Sequence, residues 1–212
     1  MLFGILTLAA HFEQLPGKKH NAVYNEALRD TEEVIKMFHD KTVQCLVIRN
    51  YTEPVNYTVE CLLLYFCLEH FRHIDIWIGS WIVFGIIVRT AMRIGYHRDA
   101  SHFPNISVFR GEMQRQLWAA ITYLDIQTSC EVGLPRMIKE GMSDAKPPRH
   151  LLDEDFDEHT IVLSPSRPNS EMIPTGYLLV KHRITAIFGK ISDQANSTAP
   201  ISYDAVMKLD KV

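Results

Sequence analysis

Trp81-Ile-Val-Phe-Gly-Ile-Ile-Val-Arg-Thr-Ala-Met-Arg-Ile-Gly-Tyr-His-Arg-Asp99 leads through a polar link containing Pro104 to a second amphipathic segment, Glu112 to Cys130, which Gly133-Leu-Pro-Arg136 closes. In the first segment Trp81, Phe84, Val88, Ala91 and Met92 recur every three or four residues, the repeat of one helix face. Met113, Leu117, Ile121 and Leu124 repeat in the same way in the second. Two helices joined like this make a hairpin whose apolar faces need further helices to cover them. Gly85 is expected to permit close helix approach, and Gly95 to sit near a helix C-terminus, because glycine is costly in a helix interior. The fold class that follows is all-α, a multi-helix domain.

Working outward, helical spacing of Leu2, Ile5, Leu6, Ala9 and Phe12 predicts a helix over residues 2–15, stopped by Pro16-Gly17. A second is predicted from Asn21 to about Asn50, with a bend at Lys41-Thr42, and a third from Thr58 to His70, apolar almost all round. The fourth begins near Asp75. A last helix runs from Pro174 to Ile191, with Tyr177, Val180, Ile184, Ile187 and Phe188 expected on its buried side. Between Lys139 and Ser170 lies a long, polar, turn-rich excursion, expected at the surface with only local order. The chain reads as one helical domain over residues 1–212, which starts and stops inside patterned text as an incomplete domain would.

The formal charge of −3 over 212 residues supplies no general attraction for nucleic acid or for an anionic membrane. A part outside this sequence would have to touch DNA. Cys45, Cys61, Cys67 and Cys130 lack metal-ligand spacing and read as structural thiols of a reducing compartment. The uncharged run from Ile76 to Val88 is 13 residues long, whereas a spanning helix needs about 20. No membrane association is expected.

Phosphate-cradling glycine loops and serine nucleophile elbows are missing from the text. His70, His73 and Asp75 precede the fourth helix, and His97, Asp99 and His102 follow it. Imidazole and carboxylate suit Zn, Fe or Mn, so the alternative function is a helical metal-dependent phosphohydrolase using His70, His73, Asp75, His97 and Asp99. The two groups are separated by roughly twenty helical residues, about 30 Å, which favours helix-end histidines over one metal site. Asp125, between Leu124 and Ile126, must be paired if it is buried; an arginine of the fourth helix, Arg89 or Arg93, is the expected partner. Trp81 and Trp118 are core aromatics or, alternatively, line a cavity for an apolar effector.

The run Gly85-Ile-Ile-Val-Arg-Thr-Ala-Met-Arg-Ile-Gly-Tyr-His-Arg-Asp99 resembles the most characteristic segment of the fungal-specific transcription factor domain, the helical middle region of regulators that carry an N-terminal binuclear zinc cluster. The resemblance continues through Glu112, Arg115, Trp118, Asp125, Ser129 and Gly133-Leu-Pro135, and through Asp144, Pro147-Pro and Leu152-Asp-Glu-Asp155. Tyr96, Gln116 and Leu134 stand where the family more often has leucine, arginine and arginine.

The resemblance implies an effector-responsive or inhibitory regulatory domain and no enzyme. Gly85, Arg89, Ala91, Gly95, His97, Arg98, Asp99, Glu112, Arg115, Trp118, Asp125, Gly133 and Pro135 would then be architectural. It further implies a nuclear location, with the cytoplasm as the other choice, and other transcription regulators or a small-molecule effector as partners. Zinc is expected only with the family's six-cysteine cluster, which these residues do not contain, and DNA contact only through that module. A fragment, a truncated gene product and a free-standing regulatory domain all fit.

Overall fold

The structure is a computed structural model that describes residues 1–13, 22–53, 55–72, 78–203 and 206–207; for Glu13 and residues 22–31 only the backbone is described. Helices make up its regular structure, and among the described residues there is no strand. The chain divides into two compact units, Met1–Val83 and Phe84–Val212.

In the first unit α1 (Leu2–Glu13) packs on α2 (Ala22–Ile48) and α3 (Thr58–Arg72). Gly4 lets α1 come close: a Cβ there would lie 3.3 Å from Leu64 Cβ. Phe3 meets Phe38 with ring centroids 6.1 Å apart, and Phe12 meets Phe71 edge-on at 5.5 Å. α2 runs through Lys41-Thr42 without a break, against the expected bend; the Thr42 hydroxyl donates to Phe38 O (2.9 Å), a local bond compatible with an unbroken helix. α3 buries Val59, Leu62, Phe66 and Leu68, and Glu69 accepts from Arg72 and shares a short 2.5 Å bond with His39. The expected Pro16-Gly17 stop and the Pro54 connector lie outside the described residues.

α4 (Ile78–Ile94) begins in the first unit and has most of its length in the second. Phe84, Ile87, Val88 and Ala91 are its buried face. It ends as its glycine predicts: Gly95 takes φ +98°, and the Gly95 and Tyr96 amides turn back to the last carbonyls of the helix. A single 3₁₀ turn, Ala100–His102, leads to α5 (Val108–Val132), which starts a turn earlier than its periodicity suggests because the Ser107 hydroxyl caps Arg110 N–H (3.2 Å). α5 is the central rod of this unit, with no exposed residue from Gly111 to Ser129. Gly133, at φ +68°, closes it.

α6 (Pro174–Ala195) packs on α5 with the face opposite to the one its apolar pattern predicts. Thr175, Thr185, Gly189 and Ser192 are buried, while Tyr177 is 69% and Ile184 57% exposed, and Val180, Ile187 and Phe188 also face outward. The segment between α5 and α6 holds more than surface turns. Leu151, Phe156 and Leu163 form a small apolar cluster with Val108, Phe109 and Met113 of α5.

Candidate functional site

The residues singled out in the sequence converge on one feature, a set of buried carboxylates that hold irregular backbone against α5. Asp125 is the simplest case. It sits two turns before the end of α5, 1% exposed, and accepts hydrogen bonds from the backbone N–H groups of Met137 (3.0 Å) and Ile138 (2.7 Å). The expected ion pair with Arg89 or Arg93 is therefore not made. Arg89 Nη1 donates instead to Gly85 O (3.1 Å), and Arg136, just beyond the end of α5, binds Asp193 of α6 through two bonds of 3.0 and 2.6 Å. Burial pushes the Asp125 pKa up, and the two amides only partly oppose this.

Asp99 and Glu112 form the second group. Asp99 caps the turn after α4 through Ser101 N–H (3.1 Å) and takes a two-pronged contact from Arg115 of α5, at 3.0 and 3.1 Å. Lys146 N–H donates to its other side (3.1 Å). The Arg115 guanidinium holds Asp99 well below the usual carboxylate range in spite of its burial. Arg115 also reaches Glu112 (3.5 Å), which is 0% exposed and accepts Arg149 N–H at 2.6 Å. One guanidinium thus serves two buried anions, with the Lys146 ammonium 3.7 Å from Asp99 and backbone amides supplying further donors.

The third group ties 95–102 to 143–144. His97 O accepts from Ser143 Oγ (2.7 Å) and Asp144 N (3.1 Å). Asp144 accepts Asp99 N–H (2.9 Å) and pairs with Arg98 and His102; Arg98 foremost pulls its pKa down to about 2. Further along, Asp155 is held down to about 2 by Arg167, which it binds twice, and Thr175 at the start of α6 donates to Leu151 O (2.6 Å).

Of the sequence candidates, Gly95, His97, Arg98, Asp99, Glu112, Arg115, Asp125 and Gly133 belong to this stapled region. Trp118 is buried beside it with its ring 6.2 Å from His97, and Ala91 lies in the α4 core. Gly85 is buried with Arg89 folded over it, and Pro135 lies at the surface in the turn after α5. Trp81 is partly buried in the first unit and its indole N–H meets no acceptor among the described residues. Neither tryptophan lines the two principal cavities, of which one lies in each unit. Sequence reading missed Asp144 as an anchor, as well as Arg149, Arg167 and the Arg136–Asp193 pair; their partners are backbone groups or lie far along the chain, and periodicity carries no sign of either.

Among the described residues the metal-centre alternative finds no grouped ligands. His73 and Asp75 lie outside the described residues, and among the described ones no three His, Cys, Asp or Glu side chains are grouped to hold a metal ion. Asp99 has both carboxylate oxygens committed to Arg115, Ser101 and Lys146, and His70 stacks on Phe66. All four cysteines are free thiols. Among the described residues no helix is long and apolar enough to cross a membrane. What this arrangement does chemically is fix backbone; it presents no activated nucleophile.

The sequence profile of the fungal specific transcription factor domain matches residues 1–203. The chain is 44% identical over 211 residues to the Zn(2)-C6 fungal-type transcription factor mpsB of Macrophomina phaseolina, covering all of this chain and 28% of that protein. It is 43% identical to pigI of Monascus ruber, again over its whole length and 25% of the relative. The equisetin cluster transcription factor eqxF of Fusarium heterosporum is 38% identical over 213 residues, 99% of this chain and 30% of the relative. No solved structure matches. The chain belongs to the fungal-specific transcription factor domain family, a regulatory domain of zinc-cluster transcription factors. It spans a little over a quarter of the length of the curated relatives it matches.

Proposed function

We propose that this chain is the regulatory body of a pathway-specific transcription regulator, one that sets the expression of a contiguous set of biosynthetic genes. The carrying observation is whole-chain identity of 38–40% to relatives named as pyrrolocin, fusarisetin A and equisetin cluster transcription factors. In this reading the protein works in the nucleus. DNA is read by a zinc-cluster module of the kind its relatives are named for, and the helical body passes on a signal from another regulator or a small-molecule effector. Residues 1–212 act as parts of one family domain. Asp99, Glu112, Arg115 and Asp125, with Gly95 and Gly133 at the helix ends, keep it in one conformation so that such a signal has a defined structure to act on.

The test is transcriptional. Disrupting the coding gene is expected to lower transcripts of the neighbouring biosynthetic genes together, and restoring it to raise them. Unchanged transcripts across all neighbouring genes would remove this reading.

A further inference from the structure

The first unit contains a cavity of about 380 Å³ between α1, the end of α2, the turn residues 49–51 and 55–57, and the start of α3. That is within the roughly 300–1,000 Å³ typical of small-molecule sites. Its walls are mainly apolar, with Phe3, Leu46 and Leu64 among them. Two cations line it: the Met1 terminal ammonium, which donates to Cys61 Sγ (3.5 Å), and the exposed Arg49 guanidinium, which makes no ion pair among the described residues. The turn that forms one wall is held in an uncommon shape. Asn50 (φ +52°) and Tyr57 (φ +66°) are left-handed without being glycine, a conformation a bulky side chain seldom adopts. Val55 N–H to Thr58 Oγ1 (3.0 Å) and Glu53 N–H to Asn50 O (2.8 Å) keep it there. Backbone strain of this kind persists where the surroundings over-determine it, and it often marks a ligand wall.

The geometry points to a binding site for a compact apolar acid, its hydrocarbon body between Phe3, Leu46 and Leu64 and its anionic end against Arg49. An apolar wall beside the unpaired Arg49 guanidinium and the Met1 ammonium selects for such a molecule: burial of the body drives binding, and the charge discriminates a carboxylate or enolate from a neutral analogue. This inference rests on the regulatory reading only in making the ligand an effector; the binding itself is a property of the 212-residue chain.

Dodecanoate is the probe, with dodecanol as its neutral counterpart, and displacement of the fluorescent apolar dye N-phenyl-1-naphthylamine is the readout on the purified chain. Dodecanoate is expected to displace the dye at one molecule per chain and to bind about tenfold or more tightly than dodecanol, the margin of a hydrogen bond to a charged group. Arg49→Met, at an exposed position, is expected to narrow the preference for the acid, the Met1 ammonium retaining part of it, with an unchanged circular-dichroism melt. Leu64→Trp should fill the cavity and abolish dye binding; if that variant misfolds, Arg49→Met decides alone. Failure of dodecanoate to displace the dye, equal affinity for acid and alcohol in the parent chain, or selectivity that Arg49→Met leaves undiminished would overturn the site. Any of these would leave the transcript test standing, and unchanged transcripts would leave a measured binding site standing.

Discussion

α5 and α6 lie side by side in the same unit and handle polarity in opposite ways. α5 takes Glu112 and Asp125 fully out of solvent, and Asp99 packs onto it through Arg115. α6 turns Tyr177, Val180, Ile184 and Ile187 outward and faces α5 with threonine, glycine and serine. The difference lies in what each helix has opposite it. α5 is surrounded by irregular backbone whose N–H groups need acceptors, and a carboxylate satisfies two of them at once. α6 approaches closely enough that Gly189 lies against the Arg136 guanidinium, where a Cβ would be 2.8 Å from Cζ, so small residues belong on that side. Burial here follows hydrogen-bond demand and close approach before it follows hydrophobicity.

The largest expected effect tests the polar half of that contrast. Arg115→Ala strips the shared guanidinium from Asp99 and Glu112 and leaves Asp99 only the exposed Lys146 ammonium, 3.7 Å away, which costs about 3 kcal/mol. Urea denaturation followed by circular dichroism measures it, and a loss below about 1 kcal/mol would mean that Lys146 and the backbone amides suffice for both acids. Next comes Asp125→Ala. It orphans the Met137 and Ile138 amides, at about 1–3 kcal/mol for each buried donor left unsatisfied. The two carboxylates should also depend on pH with opposite signs. Asp99, its pKa lowered by Arg115, contributes stability that is complete above the unfolded value near ~3.9 and is lost as pH falls through its folded value. Asp125, its pKa raised by burial, contributes stability that is present below the unfolded value and is lost as pH rises through its folded value. The stability gap between the parent and Asp125→Asn should therefore narrow as pH rises from about 4, while the gap for Asp99→Asn should open. Parallel trends would show that one assignment is wrong.

The sequence carried the helices well and their orientation poorly. The end of α4 at Gly95 and the closure of α5 at Gly133 were readable because both glycines occupy left-handed positions that few other residues accept. The family motif was readable for the same physical reason: its acids sit at fixed distances from the amides they must reach. Periodicity groups Tyr177, Val180, Ile184 and Ile187 on one face of α6, but it cannot say which face meets the neighbour. The partner of Asp125 was equally hidden, since a backbone amide at Met137 or Ile138 has no side-chain signature. The cavity in the first unit is walled by a turn whose shape depends on Asn50 and Tyr57 in left-handed conformations, and no glycine marks either position.

Gly189→Ala probes close approach. Removing a helix-interior glycine would gain about 0.5–1 kcal/mol by propensity, but the added methyl meets the Arg136 guanidinium and pushes it away from Asp193. Overpacking costs about 1–3 kcal/mol, so a net loss on the order of 1 kcal/mol is expected. A gain would show that the α5–α6 spacing relaxes freely.

The smallest effect is the most informative about α6. Ile184 is 57% exposed in the middle of the outward stripe. An isoleucine that keeps most of its contact with water in the folded state gains little from folding, so Ile184→Ser should change stability by no more than about 0.5 kcal/mol. The same substitution at the fully buried Ile121 of α5 should cost about 2–5 kcal/mol, since it removes most of a core side chain and leaves a polar group in the gap. The contrast is therefore measurable on one denaturation axis, with Ile121→Ser as the internal standard. If Ile184→Ser approached the Ile121 value, something would be covering the stripe in solution, and the opposition between α5 and α6 would reduce to two helices that both bury what hydrophobicity says they should.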